Sequence, residues 1–206
     1  MTVTGNIKGL KKGTLFFQHF SDSTLVVLDS IQLKGDGAFA FSHEIESPEI
    51  FYLHLRKADK NDFNDRITFF GEPGEISINT SWNTFDVKAK IEGSETHKKL
   101  MEFNSMISNF NIKELELSQK ALLPEFREDS LALDSLQKLA NRNLLGRYRY
   151  ALNFGMMNGD SYVTPYVMLT DAKEANPKYL DSVYKVLTPD VLDSKYGKLF
   201  KEYLGK

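Results

Sequence analysis

The sequence contains no cysteine, and this absence removes several kinds of chemistry at once. Disulfides, thiolate metal ligands, iron–sulfur clusters and a cysteine nucleophile are excluded for this chain. It also has no apolar run near the roughly 18 residues that a membrane-spanning helix needs. Its 26 basic and 28 acidic residues give a net charge of −2, without the basic excess of nucleic-acid-binding domains. The lack of cysteine fits both a reducing compartment and an exported domain, so composition alone leaves the location open.

Sequence motifs of common enzymes are missing as well. The chain has no Gly-x-Ser-x-Gly elbow, no His-Glu-x-x-His and no Gly-Lys-Ser/Thr phosphate loop. His43 and His54 lie on strands predicted on either side of Pro48, where a hairpin would bring them close, but two imidazoles without a third ligand make a poor zinc site. We therefore predict no catalytic residue, no metal and no cofactor. A hydrolase that uses scattered carboxylates with His43 or His54 is the weakest of the alternatives.

Two further polar features have ordinary explanations. Residues 59–65 hold five oxygen-bearing side chains, but they lack the glycine and the closing glutamate of an EF-hand loop. A solvated turn is the favoured interpretation, with a calcium site as the alternative. His97 falls in the first turn of a predicted helix, and we expect it to be solvated.

The first half of the chain has the period of two that is typical of half-buried strands. Apolar side chains alternate with small or polar ones, as in Phe39 and Phe41 against Ala38 and Ala40. Strands this short, separated by turn residues, predict an antiparallel β-sandwich or barrel. The predicted strands are residues 3–8, 14–20, 24–33, 38–45, 50–56, 67–70, 75–79 and 85–91.

The segment Leu33-Lys-Gly-Asp-Gly-Ala-Phe-Ala-Phe41 resembles a glycine-rich phosphate loop at first sight. A phosphate loop leads into a helix whose amides point at the anion, whereas here an alternating run follows. Asp36-Gly37 between two such runs is a hairpin signal, because glycine accepts the positive φ that the turn needs. We predict a hairpin and reject phosphate binding.

From Ser94 onward the pattern changes to the helical period. Ser94 is a suitable N-cap, and an apolar stripe follows at Leu100, Phe103, Ile107 and Phe110. Three capping residues followed by proline mark later helix starts, at Pro165, Pro177 and Pro189. The predicted fold class is therefore α+β: a β-sandwich domain over residues 1–93 and a helical region of five or six helices over residues 94–206. Since no polar linker separates them, we expect the two parts to pack together.

Aromatic residues are the one feature that points to a binding surface. Phe16 and Phe17 are adjacent on a strand, so their rings point to opposite faces. Trp82 stands among polar turn residues, which favours partial exposure. Our candidates for partner or ligand contact are Trp82, Phe16, Phe17 and Phe20. Packing of these rings at a junction between sheet and helices is the simpler explanation.

Several short motifs resemble those of one protein family. They are Gly5-x-Ile-Lys-Gly-Leu-x-x-Gly-Thr-Leu15, Gly35-Asp-Gly-Ala-Phe-Ala-Phe41, Gly74-Glu-Ile-Ser-Ile78, Ile91-Glu-Gly-Ser94 and Ser161-Tyr-Val-Thr-Pro165. Their succession resembles the domain of unknown function that opens many exported thiol–disulfide oxidoreductases of Bacteroidetes. The resemblance covers nearly the whole chain. Its motifs are mostly turns and core positions, so they describe the fold more than a chemistry.

In that family, a β domain and a helical segment follow a lipoprotein or secretory signal and precede a thioredoxin-like domain with a Cys-x-x-Cys pair. The resemblance implies a non-catalytic accessory domain for partner or substrate recognition, positioning or dimerisation, in the cell envelope or periplasm. We expect a downstream thioredoxin-like domain or another protein as partner, and a homodimer as one arrangement. We expect no nucleic acid, and membrane contact only through a lipid anchor on a segment removed ahead of Met1. The alternative is a stand-alone ligand-binding β-sandwich for sugars or peptides.

Overall fold

A computed structural model of the chain describes residues 1–21, 24–57 and 65–206. The chain divides into two compact units, Met1–Lys98 and Lys99–Lys206. The first unit holds the strands and the start of one helix, and the second holds helices. The predicted α+β class, with a β-sandwich-like first part, is confirmed. Within the described ranges, no helix combines the length and the apolar character needed to cross a membrane.

The first unit contains two four-stranded sheets. The strands are β1 (Thr2–Lys8), β2 (Gly13–Ser21), β3 (Thr24–Leu33), β4 (Ala38–Ser42), β5 (Glu49–Lys57), β6 (Arg66–Gly71), β7 (Glu75–Ser81) and β8 (Lys90–Glu92). The first sheet has the order β4-β1-β7-β8 and the second the order β3-β2-β5-β6. The prediction of a purely antiparallel sandwich needs one correction, because β1 and β7 are parallel. The chain between them forms the second sheet and β4, and it supplies the long connection that a parallel pair needs.

Aromatic side chains from both sheets form the core of this unit. Phe17 of the second sheet stacks on Phe41 of the first, with ring centroids 5.4 Å apart. It also stacks on Phe51 of its own sheet at 5.3 Å. Each of these rings is at most 2% exposed. Burying such a side chain is worth roughly 1.5–3 kcal/mol, so this cluster holds the two sheets face to face.

The turn at Asp36-Gly37 does not close a hairpin, which corrects the prediction. The strand before it, β3, belongs to the second sheet, whereas β4 pairs with β1 in the first. Gly37 has φ +69°, and its carbonyl accepts a hydrogen bond of 2.9 Å from the Ile7 N–H. The Asn6 amide adds a bond of 2.8 Å to the Asp36 carbonyl. The loop is followed by strand β4 and not by the helix that a phosphate loop would need.

The alternating run at residues 85–91 is not a strand over most of its length, and this prediction was wrong. Only β8 is extended there, and the residues before it form turns. The Thr80 hydroxyl donates a hydrogen bond of 2.8 Å to the Phe85 carbonyl, and the Lys88 N–H donates one of 3.0 Å to the Thr84 carbonyl. These bonds curl the chain while Phe85 enters the core at 1% exposure.

The helix that begins at Glu95 has a buried N-cap network. The Ser94 hydroxyl accepts a bond of 2.9 Å from the His97 N–H, as predicted for a cap, and donates one of 3.0 Å to the Phe70 carbonyl. His97 is only 6% exposed, so the expectation that it is solvated was wrong. Its Nδ1 accepts a bond of 3.3 Å from the Phe70 N–H. The Glu72 carboxylate accepts from the Glu95 N–H at 2.7 Å, which places a negative charge at the positive end of the helix.

The helices are α1 (Glu95–Ala121), α2 (Pro124–Arg127), α3 (Ser130–Met157), α4 (Val163–Thr170), α5 (Pro177–Val186), α6 (Pro189–Asp193) and α7 (Lys195–Tyr203). The starts at Pro177 and Pro189 are confirmed, while Pro165 lies inside the first turn of α4. Long helices α1 and α3 pack together where Phe103 contacts Phe154, with centroids 5.0 Å apart. The residues from 94 onward are all described and include no strand.

Candidate functional site

Phe17, one of the predicted contact residues, does not reach the surface. It is 1% exposed and is stacked between Phe41 and Phe51 in the core of the first unit. In the folded chain it is therefore unavailable to a partner. The sequence offered phenylalanine on both faces of the strand and did not indicate which face was the inner one.

Phe16 and Phe20 lie on the opposite, outer face of the second sheet. The Arg56 guanidinium lies over the Phe16 ring, 4.9 Å from its centroid. Arg66 lies over Tyr52 at 5.6 Å, and Phe20 contacts the same tyrosine at 5.7 Å. Both arginines are exposed, whereas Phe16 and Tyr52 are half-buried. We call Phe16, Tyr52, Arg56 and Arg66 the cation–aromatic face.

The cation–aromatic face has the chemistry of a weak recognition surface. Guanidinium groups stacked on rings keep their N–H edges available for carboxylates and carbonyls. Burial raises the pKa of Tyr52 above its usual value of 10.0, and the charge of Arg66 opposes this shift in part. Tyr52 is therefore neutral near pH 7 and can donate its O–H.

Trp82 occupies a different place, in the turn after β7. It is 43% exposed, and its backbone N–H donates a bond of 3.1 Å to the Lys8 carbonyl. The Lys57 ammonium lies 5.8 Å from its ring. Gly9 has φ +78° and leaves room for the indole, since a Cβ there would lie 2.9 Å from the ring. In the described part of the chain, no ring contact joins Trp82 to Phe16 or Phe20.

The histidines are not arranged as the sequence suggested. His43 contacts His19, with ring centroids 6.0 Å apart, while His54 lies beside Phe16 at 5.9 Å. His19 Nδ1 lies 3.4 Å from Oε1 of Glu49. Burial, and to a lesser degree the charge of His19, lowers the pKa of His43 below 6.5.

No group of three His, Asp or Glu side chains that could hold a metal ion occurs among residues 1–21, 24–57 and 65–206. Most of the loop weighed as a calcium site, namely residues 59–64, lies outside those ranges. Only its last residue, Asp65, is described. It is 3% exposed and forms an ion pair with Lys57 at 2.7 Å.

An apolar groove lies between α3 and α5, and the sequence analysis missed it. Its volume is about 630 Å³. Four apolar side chains of α3 and two of α5 and its N-terminal flank form the floor: Leu145, Tyr148, Leu152, Met156, Ala175 and Tyr179. Polar side chains form the rim: Arg149, Asn153, Glu174, Asn176 and Ser182. We call this site the α3–α5 groove.

Helix α5 approaches α3 closely at Gly155, near one end of the groove. A Cβ at Gly155 would lie 2.7 Å from Val183, so only glycine allows this contact. Leu180 and Val183 are buried there at no more than 1% exposure. Tyr179, one turn before Val183 on α5, stays 58% exposed. The sequence did carry a signal, because Leu145, Leu152 and Met156 form a second apolar stripe of α3 at helical spacing.

Comparison with models of protein families finds a similarity over the first part of the chain. Residues 1–100 match the model of a family described as Domain of unknown function (DUF4369). The match spans the whole two-sheet unit and ends just inside α1. No curated protein and no solved structure matches the chain. The match supports a domain-of-unknown-function family for the sandwich.

Proposed function

We propose that this chain is a non-catalytic recognition module of an exported thiol–disulfide oxidoreductase-type protein, and that it holds an apolar segment of a partner or substrate polypeptide in the α3–α5 groove. The observation that carries the proposal is the groove itself, with its exposed apolar floor and polar rim. The family match over residues 1–100 and the absence of cysteine are consistent with it.

A polypeptide segment fits this groove better than a small compact ligand. The apolar stripe from Leu145 to Met156 runs along three turns of α3, about 16 Å at ~1.5 Å per residue. Leu145 is 60% exposed and Met156 is 45% exposed, so the floor can be covered by a partner. Amide and hydroxyl groups on the rim can bond to a peptide backbone, and Arg149 and Glu174 add one charge of each sign. An amphipathic helix in a groove is bound by this combination of features.

The test uses fluorescently labelled α-lactalbumin that has been reduced and carboxymethylated, a polypeptide that stays unfolded. Binding to the whole chain is measured by fluorescence anisotropy. We expect Leu145→Glu to weaken binding at least tenfold, because a bound apolar segment would have to desolvate the introduced carboxylate. The matched control is Leu131→Glu, on the same helix but outside the groove, where the side chain is 77% exposed.

Equal binding by the two variants would contradict the role of the groove. So would a parent chain that does not bind the labelled polypeptide at all. Far-UV circular dichroism and melting temperature, compared among the three proteins, separate a lost contact from a lost fold.

The proposal that this chain lies beside a thioredoxin-like domain in the cell envelope or periplasm rests on the resemblance in the sequence. The nucleotide sequence that flanks the coding region of this chain tests it. We expect codons for a secretory or lipoprotein signal upstream and for a Cys-x-x-Cys motif downstream. An open reading frame with neither would remove the oxidoreductase context and leave a stand-alone recognition domain.

The cation–aromatic face favours a second candidate, a ligand-binding sandwich for sugars or peptides. Arg56 and Arg66 each lie over a ring on neighbouring strands, and such pairs bind planar or acidic groups. Calorimetric titration with an acidic peptide and with a neutral oligosaccharide would test it. If Arg56→Ala and Arg66→Ala leave both titrations unchanged, this face is not a binding site.

A further inference from the structure

One edge of the second sheet is long, apolar and nearly uncharged. The strand is β3, with the sequence TLVVLDSIQL, in which Asp29 is the single charged residue and proline is absent. Natural edge strands are usually blunted by shortness, lysine or proline, because their unpaired backbone groups are a template for another strand. The other edges are shorter. Strand β4 has five residues, β6 has six and β8 has three, two of them charged.

The outer side of β3 is open to a partner. Every backbone pairing described for it is with β2, so the N–H and C=O groups that point away from β2 face outward. The Ser30 N–H is bonded at 2.7 Å to the Asp29 carboxylate and is not counted among the available groups. Val27 is 49% exposed and Val26 is 36% exposed, although both are β-branched apolar residues. A register shift of one residue near Phe17 and Gln18 leaves Leu28 without a directly opposite residue. That side chain packs on the core.

We propose that β3 is the surface through which two copies of this chain associate. The two strands pair antiparallel about a two-fold axis and join two four-stranded sheets into one of eight strands. A two-fold interface must be self-complementary, and this edge meets that requirement. An axis at Val27 sets this side chain opposite its own copy and keeps the two Asp29 carboxylates apart, each opposite Leu25 of the other copy.

One strand edge buries a small area, so the dimer is expected to be weak. Interfaces below ~1,000 Å² are typical of transient complexes, and we expect dissociation on the order of micromolar concentrations. This association does not depend on the α3–α5 groove, which lies in the other unit.

The test is sedimentation velocity of the full chain from about 5 to 500 µM, a range that brackets such a complex. We expect the parent to shift from monomer to dimer across this range. Val27→Lys should remain monomeric throughout, because an edge lysine brings two ammonium groups together at the axis. The matched control, Val87→Lys, makes the same change at a side chain that is 75% exposed and lies in a turn. It should dimerise like the parent.

Several outcomes would overturn the proposal. One such outcome is a parent that stays monomeric at the highest concentration. Another is a dimer that persists in Val27→Lys and is lost in Leu145→Glu, because this result would assign the dimer contact to the α3–α5 groove. A monomeric parent whose binding of unfolded polypeptide is weakened by Val27→Lys would assign the edge to a foreign strand instead. Should Val27→Lys lose its circular dichroism signal, Ser30→Lys tests the same edge at an exposed polar position.

Discussion

Substitution of Gly37 tests how the chain passes from one sheet to the other. The residue has φ +69°, a conformation that side chains other than glycine rarely adopt. A Cβ there would lie 2.2 Å from the Ile7 carbonyl oxygen, well inside contact distance. Because the obstacle is backbone of β1, no side-chain rotation can relieve it. Gly37→Ala therefore has to move the turn away from the first sheet.

The expected cost follows from these contacts. A left-handed conformation costs a residue with a Cβ about 1–2 kcal/mol. Displacing the turn also weakens the bond of 2.9 Å from the Ile7 N–H to the Gly37 carbonyl, worth about 1 kcal/mol. We expect Gly37→Ala to lower the free energy of unfolding by about 2–3 kcal/mol or more. A typical domain has only about 5–15 kcal/mol to lose.

Urea unfolding followed by tryptophan fluorescence suits this measurement, because the chain has one tryptophan and it lies in the first unit. Asp36→Ala is one control, and we expect it to change stability by less than about 0.5 kcal/mol as an exposed side chain. Gly35→Ala is the other, since Gly35 has φ +103° but no heavy atom within 4 Å of an added Cβ. It isolates backbone strain from the clash. If Gly37→Ala unfolds at the same urea concentration as Asp36→Ala, the turn does not hold the two sheets as argued.

Two further predictions concern pH and metal. Burial lowers the pKa of His97 below 6.5. As the pH falls below 6.5, the unfolded state therefore binds a proton before the folded state does, and the free energy of unfolding decreases. The urea midpoint should therefore decrease as the pH is lowered from about 8 to about 5, and His97→Gln should make this decrease smaller. If the midpoint of His97→Gln decreases as much as that of the parent, His97 is not the group responsible. Burial also lowers the pKa of His43, so this residue likewise reduces the free energy of unfolding as the pH falls. Exhaustive chelation should leave the melting temperature unchanged, and a drop of several degrees would point to His43 or to the loop at residues 59–65.

Local sequence signals predicted the bounds of a strand or helix well where residues within that element determine them. The bounds of β3 coincide with the predicted strand, and α5 and α6 begin at the prolines that marked them. The same signals failed where the answer depends on distant residues. Asp36-Gly37 indicates a turn, but only the pairing of β4 with β1 determines which sheet the next strand joins.

The candidate sites show the same limit. Alternation placed Phe16 and Phe17 on opposite faces, yet the inner face is decided by rings from β4 and β5 that stack on Phe17. His97 is buried because it accepts a bond from the Phe70 N–H, a residue 27 positions away. The α3–α5 groove depends on where Gly155 lets α5 cross α3, which no spacing within one helix reveals.

The parallel pair β1 and β7 also sets an order of events during synthesis. Strand β1 emerges from the ribosome first, but its neighbours are Ala38–Ser42 and Glu75–Ser81. The second sheet is complete once Gly71 has been made, so it can form while β1 is still unpaired on its β7 side. Loop closure makes such distant pairing slow. A strand that waits with an unpaired edge makes a nascent chain prone to aggregation, and among the strands described here that strand is β1.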